Sequence, residues 1–199
     1  MDDSRNDDLQ AIVFKNRGLL LSLPAAVLAA FGKPSATSVA LGIPLALAGE
    51  LVRCWAVGYS GVTTRGDHVE APQLVTAGPY AHVRNPLYVG NFITALGFAV
   101  AYTGKNSAAA KLGLIGGSLA AMLAVYATIV PHEESFLRSE FGEAFDAYCE
   151  RVPPIVPQLE PAPGGQGTWK PEVIRDAESR TFATFGAMLG VLMLKTLNG

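Results

Sequence analysis

Residues 112–130 read LGLIGGSLAAMLAVYATIV, a run without a single charge. A helix rises about 1.5 Å per residue, so such a run matches a hydrocarbon core of roughly 30 Å. Gly113 and Gly117 stand four apart, the small-residue spacing that lets two helix backbones approach closely. This stretch predicts a membrane-spanning helix, and three other runs upstream repeat the pattern.

Working back, an apolar run opens at Pro86 and closes near Tyr102, and Lys105–Asn106 marks the polar turn that follows it. A further run, Ser38–Ser60, carries Glu50 and Arg53, which are i,i+3 neighbours and can pair within the membrane. The first run, Gly18–Phe31, is short. Adding Ala11–Phe14 and letting Lys15 and Arg17 snorkel brings it to a spanning length. A cleaved signal peptide is the rival reading there. No small-x-small cleavage site follows, however, and the leader is acidic (Asp2, Asp3, Asp7, Asp8).

Working forward, HEESFLRSEFGEAFDAYCERVP from His132 carries Phe136, Leu137, Phe141, Phe145 and Tyr148 as an apolar stripe. It predicts an amphipathic helix on the membrane surface. Pro153–Gly167 is rich in proline and glycine and reads as a linker. A last apolar run, Phe182–Leu194, holds Gly186 and Gly190 at the same four-residue spacing; it either spans with its flanks or lies in the interface. The expected organisation is a disordered acidic tail (1–10), a membrane core (11–157), a linker (158–178) and an additional membrane-associated helix (179–199). The fold class is all-α: a polytopic bundle of four to five membrane helices with a cytoplasmic amphipathic helix. The two glycine pairs offer faces for assembly into a homo-oligomer.

Composition agrees. Half of the 199 residues are hydrophobic and 16% are charged, and the mean hydropathy is +0.29. The net charge of −2 argues against nucleic acid as a partner. Cys54 and Cys149 form neither a disulfide framework nor metal-type spacing, so no metal site is expected. Lysines and arginines set the orientation. An N-in topology places ten (Arg5, Lys15, Arg17, Arg65, Arg84, Arg138, Arg151, Lys170, Arg175, Arg180) on the cytoplasmic side. It leaves four (Lys33, Lys105, Lys111, Lys195) opposite. The loop 61–85 and the surface helix then share the cytoplasmic side of an inner membrane or endomembrane.

Those two segments carry the chemistry. Gln73–Gly90 reads QLVTAGPYAHVRNPLYVG. Gly78-Pro79 signals a turn, Asn85 can cap the following helix, and Pro86 suits its first turn. A helix N-terminus there favours an anion, Tyr80 and Tyr88 offer faces to a cation, and Arg84 adds a fixed charge. On residues alone, these are equally an interfacial tyrosine belt beside a positive-inside arginine. Glu133 and Glu134 follow the fourth apolar run and can accept hydrogen bonds from a ligand; alone, they are equally solvated charge at a helix end.

Taken together, the two segments resemble the isoprenylcysteine carboxyl methyltransferase and phospholipid methyltransferase superfamily. The first pattern, L-V-T-x-G-x-Y-x-x-x-R-H-P-x-Y-x-G, is met by Leu74, Val75, Thr76, Gly78, Tyr80, Arg84, Pro86, Tyr88 and Gly90. The second, one helix later, is met by Glu133, Glu134, Leu137, Phe141, Gly142, Tyr148, Val152 and Pro153. Gly49, Arg53, Trp55 and Ala56 match the preceding helix, and the resemblance covers about residues 49–157. It implies methyl transfer from S-adenosylmethionine to a lipophilic acceptor. The cofactor would contact Gln73, Leu74, Val75, Tyr80, Asn85, Pro86, Leu87, Tyr88 and Glu133. Glu134 or His132 would serve as a base for a protic acceptor, and Arg84 would anchor the cofactor carboxylate or the loop. The acceptor would approach between the second, third and fourth helices.

Three positions depart from the pattern. Asn85 replaces a histidine, and Phe145 stands where tyrosine is common. Ile129 occupies the place of an arginine that neutralises a prenylcysteine carboxylate. Two rival readings remain from the sequence: a membrane NADPH-dependent reductase of the steroid-reductase type, and a non-catalytic membrane scaffold. The first lacks a dinucleotide glycine fingerprint.

Overall fold

A computed structural model describes residues 10, 12–61 and 71–198. The acidic tail, apart from Gln10, lies outside the described residues, as do Ala11, Gly199 and two cations of the orientation count, Arg5 and Arg65. Among the described residues the helices run in order α1 (Arg17–Phe31), α2 (Ala36–Ser60), α3 (Pro86–Tyr102), α4 (Ala108–Phe141), α5 (Glu143–Arg151) and α6 (Ile174–Asn198). Short 3-10 turns occupy Gly78–Ala81 and Pro171–Val173, and the described residues contain no strand.

Among the described residues, three segments are long and apolar enough to cross a membrane: α2, α4 and Pro171–Asn198. The helices α1 and α3 are apolar but shorter. Leu19, Leu41, Leu51, Leu112, Leu123 and Leu194 are all exposed on the bundle's outside. In water such a coat would drive aggregation; against lipid it is the ordinary surface. The all-α membrane bundle read from the sequence is the observed fold.

The helices alternate in direction, as contacts at their ends show. At one end, Asn106 donates to the Phe31 carbonyl at 3.1 Å, and Lys195 Nζ donates to the Ala30 and Gly32 carbonyls at 3.3 and 3.0 Å. The lysine thereby satisfies carbonyls that the end of α1 leaves without helical partners. Ser35 and Ser38 form a reciprocal capping box at the start of α2, and Ser38 Oγ reaches the Ala101 carbonyl at 2.8 Å. The other end gathers the starts of α1, α3 and α6 and the ends of α2 and α4.

The tightest packing is between α2 and α3. A Cβ on Gly97 would sit 2.3 Å from Ala46 N, one on Gly49 2.4 Å from Thr94 N, and one on Gly42 2.4 Å from the Gly97 carbonyl. Only glycine permits these backbone contacts. The pairs singled out in the sequence behave differently: a Cβ on Gly113, Gly117, Gly186 or Gly190 would meet nothing within 4 Å.

Two segments depart from their sequence reading. The surface helix expected from His132 is split, because α4 runs on through Pro131 and stops at Gly142, whose φ of 50° suits glycine. Only the short α5 packs as a surface helix, burying Phe145 and Tyr148 with Val152 against Leu74 and Leu137. The linker, too, is anchored. It forms a strap over the 76–85 loop: Thr76 and Ala77 donate to the Gln166 carbonyl at 2.9 and 3.0 Å, and Ala162 donates to the Ala81 carbonyl at 2.9 Å. Trp169 lies against Gly58, and Lys170 N–H donates to the Gly58 carbonyl at 2.8 Å. The helix that follows begins at Ile174, inside the stretch read as linker.

Candidate active site

The crowded end of the bundle encloses a cavity of about 700 Å³, within the size range of small-molecule sites. Gln73, Leu74, Val75, Tyr80, Asn85, Pro86, Leu87, Tyr88 and Glu133 all line it. These are the nine residues expected at a cofactor, drawn from two segments with most of α3 and α4 between them. Arg84 also lines the wall, whereas His132 and Glu134 do not.

Local chemistry explains the convergence. Pro86 takes the first position of α3, where a missing N–H costs nothing. Asn85 holds the N-cap position without capping; its side chain donates instead to the Pro154 carbonyl at 3.0 Å, tying the helix start to the strap. One turn on, Tyr88 Oη donates to Glu133 Oε1 at 2.7 Å, which joins α3 to α4 across the cavity. The Tyr88 ring stacks on Tyr126, with centroids 4.3 Å apart.

Arg84 and Glu134 make a second tie. The guanidinium meets Glu134 Oε1 through Nε at 2.9 Å and through Nη2 at 2.8 Å. It also donates to the Val152 carbonyl at 2.7 Å and the Cys149 carbonyl at 3.3 Å. Arg84 is thus a clamp for the loop and α5, one of the two roles expected for it. His132 packs its ring against Phe14, with centroids 5.7 Å apart. Tyr148 Oη donates to the Tyr80 carbonyl at 2.7 Å, and burial pushes the Tyr80 phenol up to about 12. Both phenols stay neutral at physiological pH, since burial also raises that of Tyr148.

Deeper in the wall lies a charge cluster that the sequence reading only half identified. Arg53 and Glu50 face each other at 3.7 Å, the i,i+3 pair expected within α2. The closer partner is Glu178 of α6, whose two carboxylate oxygens lie 2.8 and 2.7 Å from Arg53 Nη2. Arg53 also bonds Asn91 of α3, and Asn91 donates to Tyr126 Oη of α4 at 2.7 Å. Glu178 is 1% exposed. An acid in the first turns of an apolar run was the available signal, because a charge at membrane depth needs a partner. Nothing local says that the partner lies 125 residues away.

Residues of the second, third and fourth helices line the cavity, among them Arg53, Asn91 and Leu137. Close glycine contacts seal α2 against α3. The lining also includes Leu21, Ser22 and Ala25 of α1 and Thr181 and Thr184 of α6.

Fold and site together define an integral membrane protein with a ligand-sized, largely apolar cavity carrying a few polar and charged groups at one end of its helix bundle. The chain belongs to the phospholipid methyltransferase family, whose model matches residues 37–144. Among curated relatives, it is 35% identical over 129 residues to a cobalt-zinc-cadmium resistance protein of Cupriavidus metallidurans, covering 65% of this chain and 51% of that one. It is 34% identical over 119 residues to a nickel-cobalt-cadmium resistance protein of Alcaligenes xylosoxydans xylosoxydans (60% and 48%). It is 30% identical over 122 residues to protein-S-isoprenylcysteine O-methyltransferase B of Arabidopsis thaliana (58% and 57%). The chain spans about half the length of these relatives. No solved structure matches it. Among the described residues, no group of three or more His, Cys, Asp or Glu side chains could hold a metal ion.

Proposed function

We propose that this protein transfers a methyl group from S-adenosylmethionine to a lipophilic acceptor, from a site on the cytoplasmic face of the membrane. The observation that carries the reading is the meeting of Gln73–Val75, Tyr80, Asn85–Tyr88 and Glu133 around one cavity. Relatives named as isoprenylcysteine methyltransferases support the reaction class, and the excess of Lys and Arg on the site side supports the orientation.

The residues suit the donor. Glu133 offers a carboxylate for an ammonium or hydroxyl groups, Tyr80 and Tyr88 offer aromatic faces for a sulfonium, and the start of α3 offers the positive end of a helix for a carboxylate. S-adenosylmethionine, when bound, supplies an electrophilic methyl group whose leaving thioether is neutral. The chain must therefore align the two reactants and exclude water more than move protons. The strap pins the 76–85 loop, and α5 brings Tyr148 to the cavity wall. Glu133 faces the cavity and is placed to take a proton from an amine or thiol acceptor. Glu134 acts through Arg84 as a positioning residue, and His132 stands behind Phe14.

Calorimetric titration with S-adenosylmethionine in neutral detergent tests the reading. Wild-type protein binds, and Glu133→Ala and Tyr88→Ala each lose affinity about tenfold or more, roughly 1.4 kcal/mol. Unchanged affinity in both variants removes the site. Binding of a nicotinamide cofactor in its place would transfer the case to a reductase.

A further inference from the structure

The strap that pins the 76–85 loop turns apolar side chains outward. Leu159 is 97% exposed and Val156 77%, and Ile155 and Trp169 are exposed as well. From Pro153 to Lys170 the charged residues are Glu160 and Lys170 alone. Open apolar side chains on a segment that spans nothing mark contact with an apolar medium or partner.

The strap continues a lipid-facing stripe of α2. Leu47, Leu51 and Trp55 stand four residues apart, on one side of that helix, and all three are exposed. The Trp55 ring meets the His82 ring, with centroids 6.2 Å apart. His82 in turn holds the strap: its carbonyl accepts from the Gln158 N–H at 3.0 Å, and its Nδ1 lies 2.9 Å from the Gln158 carbonyl. Leu159 is the next residue. Further along, Trp169 lies against Gly58, in the last turn of α2. The protein's two tryptophans therefore stand at the same end of one span, the level at which indole rings settle in a bilayer.

The backbone suits a segment that leaves bulk water. Pro153, Pro154, Pro157, Pro161 and Pro163 carry no N–H donor. The N–H groups of Gln158, Ala162, Gln166 and Lys170 donate within the protein. Fewer unsatisfied donors lower the cost of resting where water is scarce.

We infer that the strap is an interfacial anchor. Ile155, Val156, Leu159 and Trp169 rest in the bilayer surface, reaching about 5–10 Å into the boundary between headgroups and acyl chains. The partner is the lipid surface, held by apolar contact, since the segment offers no cluster of cations to an anionic headgroup. Because the strap carries the 76–85 loop, the bilayer becomes part of what holds Tyr80 and Asn85 at the cavity. The anchor does not depend on the methyl-transfer reading.

Tryptophan quenching by brominated phosphatidylcholine tests it on the full chain in vesicles. Trp55→Phe leaves Trp169 as the reporter, and Trp169→Phe leaves Trp55 as the reference on the lipid face. With both indoles replaced, Leu159→Trp or Val156→Trp puts a single one on the open part of the strap. Bromines high on the acyl chain quench the indoles at 156, 159 and 169 at least about half as strongly as Trp55, and bromines deep in the chain quench them less. A nitroxide on Leu159→Cys, with Cys54→Ala and Cys149→Ala, asks the same with both tryptophans in place. Its ratio of oxygen to nickel-chelate collisions exceeds that of a nitroxide on Glu150→Cys, on the exposed side of α5.

Indoles at 156 and 159 that acrylamide quenches and neither lipid does would put the strap in water and overturn the inference. So would protection from both acrylamide and lipid, which would assign the patch to a second copy of the chain. An equal or lower collision ratio at 159 than at 150 would overturn it too.

Discussion

Two sets of glycines in this bundle, one spaced seven residues apart and the other four, do opposite things. On α2 and α3, Gly42, Gly49, Gly90 and Gly97 let the two backbones touch, so that any Cβ would strike the opposing main chain or its side chains. On α4 and α6, Gly113, Gly117, Gly186 and Gly190 look out onto open space. A regular spacing of glycines therefore marks a smooth helix face without saying what covers it. The first set holds the chain together. We propose that the second set is free to meet another copy.

Substitutions can break or sharpen this contrast. The largest effect belongs to Gly97→Leu, which forces α2 and α3 apart along the whole contact. Overpacking and lost contacts together remove about 4 kcal/mol or more, so the variant fails to purify folded or melts at least about 10 °C lower in detergent. A small change in Tm would mean that the helix pair yields easily, and the contrast would collapse. Next comes Glu178→Ala, which strips Arg53 of its closer acidic partner. Loss of one member of a buried pair costs about 3 kcal/mol, read again as Tm, and Glu178→Asp recovers part of it.

Ser38→Ala removes both a cap of α2 and the bond from Ser38 to the Ala101 carbonyl beside the same glycine contact. It costs about 1–2 kcal/mol, measurable by the same melting experiment. Gly113→Leu and Gly117→Leu lie at the bottom of the scale, within about 0.5 kcal/mol of wild type. If copies associate through this face, cross-linking in vesicles falls in these variants while Tm holds. A large drop in Tm would show that α4 has a partner within the chain after all.

Much of the fold was legible because lipid imposes a simple rule: long charge-free runs become spans. That rule identified the four upstream helices and the apolar run of α6. It could not show that α4 continues beyond Pro131, because the continuation depends on ties made later, Tyr88 to Glu133 and Arg84 to Glu134. Nor could composition show that a proline- and glycine-rich stretch is held in place. Its bonds run from backbone groups, such as Gln166 and Ala162, to a loop some eighty residues earlier.

The candidate site divides in the same way. The nine residues at the cavity were found because two short patterns lie on either side of a helical hairpin. Arg53, Asn91, Tyr126 and Glu178 are one connected cluster in space, yet come from four helices with no shared motif. Arg180 and the α1 wall have no periodic signature at all; only the geometry of the cavity brings them to it.

The strap has a consequence for how the protein is made. Residues 71–85 emerge from the ribosome well before the backbone groups at 154–170 that pin them down. The helical hairpin of α3 and α4 can therefore enter the bilayer while the loop before it is still unpinned. Only when Gln158, Ala162 and Gln166 have docked, and Glu178 has found Arg53, are the loop before α3 and the start of α6 fixed in place. Assembly of the functional end is thus a late event of biogenesis, and a nascent chain stalled before Glu178 would be inserted but unfinished.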